Sequence, residues 1–94
     1  MNDNDKLTVR MGTVTWGVKR RPAVGLAAAV KMVRTFLEDD VRGEGMGNRD
    51  YDGGQIYRDG ECIAVVSYNG RVWEPGGTNP EGRHVPGNKE ILVG

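Results

Sequence analysis

What this 94-residue chain lacks narrows it most. It has a single cysteine, Cys62, so no disulfide can form within it. A small chain without a staple depends on its core, which fits a reducing cytosol. It has one histidine, His84, and one serine, Ser67. No two-histidine metal site and no paired-histidine acid–base system can be assembled, and Ser67 has no nucleophile-elbow glycines around it. Cys62 lies between apolar neighbours in a strand-like run, the setting of a small buried hydrophobe rather than a nucleophile, and nothing in its spacing from His84 suggests a catalytic pair. These absences make a non-catalytic protein the expectation, with no cofactor and no resident metal.

An excess of charge of one sign is missing too. The 13 basic and 13 acidic side chains cancel, which argues against a general nucleic-acid coat protein but leaves a local basic patch open. Long apolar runs are absent. The longest, near Ala23–Val30, falls far short of the ~20 residues that span a bilayer. The opening Met1-Asn2-Asp3-Asn4-Asp5-Lys6 is polar and unlike a secretory leader. A cytoplasmic protein without a membrane partner is expected. A chain of this length fits one domain, 1–94, with little room for a deep enclosed cavity.

Glycine is what the chain has in excess, 15 residues, more than twice average usage, so turns and loops must be frequent. Residues 1–5 read as a frayed terminus. From Leu7 the pattern alternates, with Leu7, Val9 and Met11 in one parity and Val14, Trp16 and Val18 in the other. One face cannot stay buried through that switch, and Gly12 sits at the change of phase. Either a bulge shifts the register or two short strands meet at a turn. The bulged, bent strand is the reading adopted. Lys19-Arg20-Arg21-Pro22 then ends the strand, with Pro22 at the first helical position.

The helix has a strong signature. Leu26, Val30, Val33, Leu37 and Val41 recur at spacings of three and four, Ala29 and Phe36 widen the stripe, and Lys31, Arg34, Thr35, Glu38 and Arg42 lie opposite. This predicts an amphipathic helix of about five turns closed by Gly43. A glycine-rich loop follows to Gly54. The runs Gln55–Arg58, Glu61–Tyr68 and Arg71–Glu74 are then separated by Asp59-Gly60 and Asn69-Gly70, two preferred hairpin dipeptides. Two-residue turns would pair Ile56 with Ile63, Val66 with Trp73, Ser67 with Val72 and Tyr68 with Arg71. One face would then carry Ile56, Ile63, Val65 and Val72, the other Tyr57, Cys62, Ala64, Val66, Tyr68, Arg71 and Trp73. Residues 75–90 read as an irregular Gly/Pro-rich tail, with Ile91-Leu92-Val93 able to add a last strand. The fold expected is α+β, an antiparallel sheet of about four strands with one amphipathic helix packed on it.

Three groups of residues carry candidate chemistry. If the helix covers the Ile56 face, then Tyr57, Tyr68, Arg71 and Trp73 form an open aromatic–arginine surface, the composition of protein-interface anchors and of single-strand stacking platforms. The competing account makes these aromatics part of the core. Lys19, Arg20 and Arg21 at the start of the helix, and Glu38, Asp39 and Asp40 at its end, run against the helix dipole. That suggests binding surfaces, against the plainer account of solvated charges. Asn48, Asp50, Asp52, Gly53 and Asp59 approach a calcium-loop pattern. Asn replaces Asp at its first position, Asp replaces the bidentate Glu at its last, and a strand follows, so a turn-rich loop is the better reading. Gly43, Gly45 and Gly47 resemble a phosphate loop in glycine content alone, since they follow a helix rather than a strand.

The leading functional expectation is a small protein-interaction module, an inhibitor or adaptor occupying a partner's surface through Tyr57, Tyr68, Arg71 and Trp73, with Glu38, Asp39 and Asp40 as a second contact for a basic partner. In size, charge balance and lack of catalytic parts it is similar in style to small phage-encoded inhibitors of bacterial defence systems such as anti-CRISPR proteins. The alternative is a nucleic-acid-binding module whose phosphate-tracking patch is Arg10, Lys19, Arg20, Arg21, Lys31 and Arg34. A self-associating subunit that hides the open face in a homodimer is a third.

Overall fold

The computed structural model describes residues 5–13, 17–38, 51–80 and 82–93. Alternation builds its first strand: Leu7, Val9 and Met11 are buried while Lys6 and Thr8 are exposed, and Lys6–Thr13 forms β1. Gly17–Val24 forms β2 and runs back along it, Thr13 opposite Gly17 and Lys6 opposite Val24. The bent single strand is therefore corrected to a hairpin of two strands, with residues 14–16 outside the described residues. The phase change at Gly12 has two physical sources. Where β1 pairs with β3 (Tyr51–Arg58), the register shifts between Met11 and Thr13. On the other side β2 approaches so closely that a β-carbon on Gly12 would lie 2.5 Å from the Gly17 carbonyl oxygen and 2.8 Å from the Val18 α-carbon.

Pro22 is also corrected. It sits in β2 opposite Thr8, not at a helix start. β2 is an edge strand, where a residue without an N–H is tolerated. The helix α1 runs Leu26–Phe36, opened by Gly25, whose carbonyl accepts from the Ala29 N–H at 3.1 Å. A π-helical turn over Leu37 and Glu38 follows. The expected continuation through Val41 and Arg42 to Gly43 falls outside the described residues. The apolar stripe is as the periodicity predicts: Ala29, Val30, Val33 and Phe36 are buried, with Leu26 and Leu37 packed beside them.

Among the described residues the sheet has six strands rather than about four, in the order β2-β1-β3-β4-β5-β6 with every neighbouring pair antiparallel. β4 is Glu61–Val66, β5 is Val72–Thr78 and β6 is His84–Glu90. The two extra strands come from dividing the first and from the segment 75–90 read as irregular. The final strand precedes Ile91-Leu92-Val93 instead of including them.

The expected registers were off by one residue in two places. Asp59 and Gly60 do form a two-residue turn, both with positive φ, and Arg58 faces Glu61 and Tyr57 faces Cys62. A bulge then places Ala64, not Ile63, opposite Ile56. The next loop is not an Asn69-Gly70 turn. The Ser67 N–H donates to the Arg71 carbonyl at 2.8 Å and the Gly70 N–H to the Ser67 carbonyl at 2.9 Å, closing a three-residue loop with Gly70 at φ 84°. The Asn69 side-chain oxygen accepts from the Ser67 hydroxyl and the Arg71 N–H, which supports that longer loop. Val66 therefore faces Val72, and Val65 faces Trp73. A one-residue slip exchanges the faces of a strand, so neither face expected from sequence survives intact. The helix covers Leu7, Val9, Met11, Ile56, Ala64, Val66 and Val72. The far face carries Arg10, Gln55, Tyr57, Cys62, Val65 and Trp73.

The far face is not left open. β5 pairs with β4 only at Val72 and Trp73. Pro75, which has no N–H to extend a ladder, follows two residues later. The β5–β6 hairpin then reaches over the far face. Gln55 and Val65 are only 1% and 2% exposed there, and the Gln55 amide donates to the His84 carbonyl at 3.2 Å. Asn79 and Arg83 close the hairpin tip by the same bonding scheme as Ser67 and Arg71, with Gly82 at φ 81°.

Candidate functional site

Pairing places Arg20, Arg10, Gln55, Val65 and Trp73 in one row across five strands of the far face. Gln55 is the hinge of this row. Its side-chain oxygen accepts from the Arg10 guanidinium at 2.7 Å while its amide holds the His84 carbonyl. Tyr57 lies in the adjacent row, and its ring meets that of His84 edge-on, with centroids 5.9 Å apart. The Nδ1 atom of His84 is buried without a hydrogen-bond partner among the described residues. Burial pushes the Tyr57 phenol above its ordinary range, aided by the neighbouring Cys62, while Arg10 and Arg20 pull the other way. Burial likewise raises the Cys62 thiol, opposed by weaker backbone hydrogen bonds from Ala64 and Ile56. Cys62 donates to the Ala64 carbonyl at 3.5 Å, an arrangement that keeps it a thiol rather than a reactive thiolate.

The expected aromatic–arginine anchor is dispersed. Tyr57 and Trp73 are half-buried on the far face. The Trp73 indole N–H donates to the Ser67 hydroxyl at 3.2 Å, so truncating Trp73 removes packing as well as surface. Tyr68, 59% exposed, and Arg71 belong to the β4–β5 loop, next to Trp73 but at the end of the strands away from Tyr57. Glu38 is exposed at the end of the helical segment. Asp39 and Asp40 lie outside the described residues.

The basic set divides between the two faces. Lys19 and Arg21 stand opposite Met11 and Val9, on the helix side of β2. With Lys31 of α1 they rim a groove of about 460 Å³ whose apolar surface comes from Met11, Ala28, Met32 and Phe36. The Lys19 ammonium sits 5.7 Å from the centre of the Phe36 ring, within cation–π range. Lys31 also borders a neighbouring depression with Arg34, whose guanidinium donates to the Gly70 carbonyl at 3.0 Å and ties the helix to the β4–β5 loop. Arg10 and Arg20 project to the far face. Lys19, Arg20 and Arg21 thus flank an exposed edge strand, not a helix N-terminus. Across residues 5–38 of the sequence, seven cations stand against the two carboxylates Asp5 and Glu38, an imbalance that the neutral total conceals.

Of the calcium-like pattern, Asn48 and Asp50 lie outside the described residues. Asp52 and Gly53 belong to β3, and Asp59 occupies the turn at that strand's far end. An extended strand separates them, which cannot wrap an ion as a calcium loop does. Among the described residues no three His, Cys, Asp or Glu side chains cluster, and no helix is long and apolar enough to cross a membrane. The glycines at 43, 45 and 47 lie outside the described residues.

Sequence reasoning missed the groove because it placed Lys19 and Arg21 at a helix terminus. The readable signal was parity: residues 19, 21 and 23 alternate with 18, 20 and 22 once this stretch is taken as a strand. No family model matches the chain, and the searches of curated proteins and of solved structures return no match.

Proposed function

We propose that the chain is a small non-catalytic protein-interaction module, an inhibitor or adaptor, and that its β2–α1 groove grips an acidic segment of a partner protein. One observation carries this reading: Lys19, Arg21 and Lys31 stand around an apolar surface of Met11, Ala28, Met32 and Phe36. Cations alone would suit any polyanion. Cations around an apolar surface suit a peptide that places a leucine or phenylalanine between carboxylates, because burying the apolar side chain adds affinity while the rim sets orientation. The shift from the aromatic face to the groove follows from the dispersal of Tyr57, Tyr68, Arg71 and Trp73.

A second reading, a nucleic-acid-binding module, draws on the run Lys19-Arg20-Arg21, which presents cations on both sides of an exposed edge strand. Fluorescence anisotropy separates the two. A labelled Glu-Leu-Glu-type peptide is expected to bind, to lose roughly tenfold or more in affinity with Lys19→Glu/Lys31→Glu, and to lose affinity when its leucine becomes serine. If the peptide fails to bind while a single-stranded oligonucleotide binds with steep salt dependence, the nucleic-acid reading takes its place.

A further inference from the structure

On the sheet face opposite the groove, we propose that Arg10, Arg20 and Tyr57 form an oxyanion site that takes the phosphoryl group of a phosphate monoester. Arg10 and Arg20 are directly opposed across β1 and β2. Like charges in that position oppose one another in a sheet, and a shared anion between them reverses the sign of that interaction. Tyr57 lies across β1 from β2, opposite Thr8 and two residues along from the Arg10–Gln55 pair, hence on the same face. It offers a phenol donor, which burial keeps protonated and which feels the field of both guanidiniums.

The support beneath the site marks it off from a chance pair of surface arginines. The Arg10 guanidinium is held at 2.7 Å by Gln55, a side chain only 1% exposed. Gln55 is in turn anchored to the His84 carbonyl of the hairpin that folds over this face. His84 also braces the Tyr57 ring edge-on. Two of the three donors are thereby set in place before a ligand arrives, so less side-chain freedom is lost on binding. Guanidinium forks match the geometry of phosphate oxygens, and a dianion between two of them forms charge-assisted bonds. This site is independent of the peptide groove, since Arg10 and Arg20 point away from Lys19, Arg21 and Lys31.

The test is an amide NMR titration of the full chain with inorganic phosphate, against sodium chloride at matched ionic strength. Saturable shifts confined to β1, β2 and β3 around Arg10, Arg20 and Tyr57 are expected. Arg20→Gln, at an exposed edge position, should weaken the binding by roughly tenfold or more with the remaining amide spectrum unchanged. Tyr57→Phe should weaken it less, and Lys31→Gln should leave it as it is. Titrations with AMP and with phosphotyrosine then distinguish a nucleotide from a phosphorylated side chain, the tighter of the two naming the source. Shifts no larger than those caused by chloride, shifts centred on Lys19 and Lys31, or an Arg20→Gln variant that binds phosphate like the parent would each overturn the site.

Discussion

Gln55 is the side chain on which the far face depends. A buried amide is tolerated only when its donors and acceptor are met, and Gln55 meets them by joining β1 to the tip of the β5–β6 hairpin. Gln55→Ala leaves the His84 carbonyl and the Arg10 guanidinium without this partner. The expected cost is about 1–3 kcal/mol, read as a fall in thermal midpoint. An unchanged midpoint would mean that the bridge contributes nothing net. Gly12 is constrained differently. A methyl group there meets backbone atoms at 2.5 and 2.8 Å, which cannot swing aside as a side chain could. Gly12→Ala should destabilise by roughly 1–3 kcal/mol in a denaturant titration. Two raised pKa values give a direction with pH. Cys62 and Tyr57 both hold their protons more tightly folded than unfolded, because burial disfavours their charged forms. Their contribution is fully present below the ordinary values of 9.0 and 10.0 and is lost as pH climbs through the raised ones. Stability measured by denaturant should therefore decline from about pH 9 upward, and Cys62→Ala with Tyr57→Phe should flatten that decline.

The helix and the strands β1, β3 and β4 were legible from their periods, β2 and β6 were not, and turns were legible only in part. The period of two over Leu7, Val9 and Met11, and the three-and-four spacing of Val30, Val33 and Leu37, report which face is buried whatever lies against it. Asp59-Gly60 behaved as its dipeptide predicts. Asn69-Gly70 did not, because the Asn69 side chain accepts from Ser67 and Arg71 and the loop gained a residue. That single residue parted Val66 from Trp73: the bulge before Ala64 had already moved Val66 to the Ile56 side, and the longer loop left Trp73 on the face of Tyr57 and Cys62, where the spacing had put it. Gly70→Ala tests the loop: a β-carbon at φ 84° should cost about 1–2 kcal/mol, seen in the unfolding midpoint, whereas a two-residue turn rebuilt by the variant would show a changed register in amide cross-strand contacts. The last hairpin left a readable mark in Asn79, Pro80 and Gly82. Asn at the first position, Pro at the second and Gly at the fourth suit a type I turn with a left-handed residue after it. The density of prolines and glycines around those residues concealed it.

Across the assembled sheet, the balance of charge is uneven in space though neutral in sum. The β1–β2–α1 half gathers cations, and packing sorts them by strand parity into a helix-side group, Lys19 and Arg21 with Lys31, and a far-side pair, Arg10 and Arg20. Electrostatic attraction of an acidic partner to this half should appear as an association rate that falls with salt, while dissociation changes little. Stopped-flow measurement with the acidic peptide checks this. A dissociation rate that rises strongly with salt instead would mean that the charges, and not the apolar surface of Met32 and Phe36, hold the complex.

Composition and periodicity were enough to establish an α+β chain with an amphipathic helix, an antiparallel sheet, and neither a disulfide nor a paired-histidine centre, because each of these follows from residue types and local spacing. Which residues share a surface did not follow. That depended on a bulge at Ile63, one added loop residue after Ser67, and a hairpin of 72–90 folded over Gln55 and Val65. A strand repeats every two residues, so a slip of one moves every later side chain to the other face, and only the long-range pairing of the strands resolves which face that is.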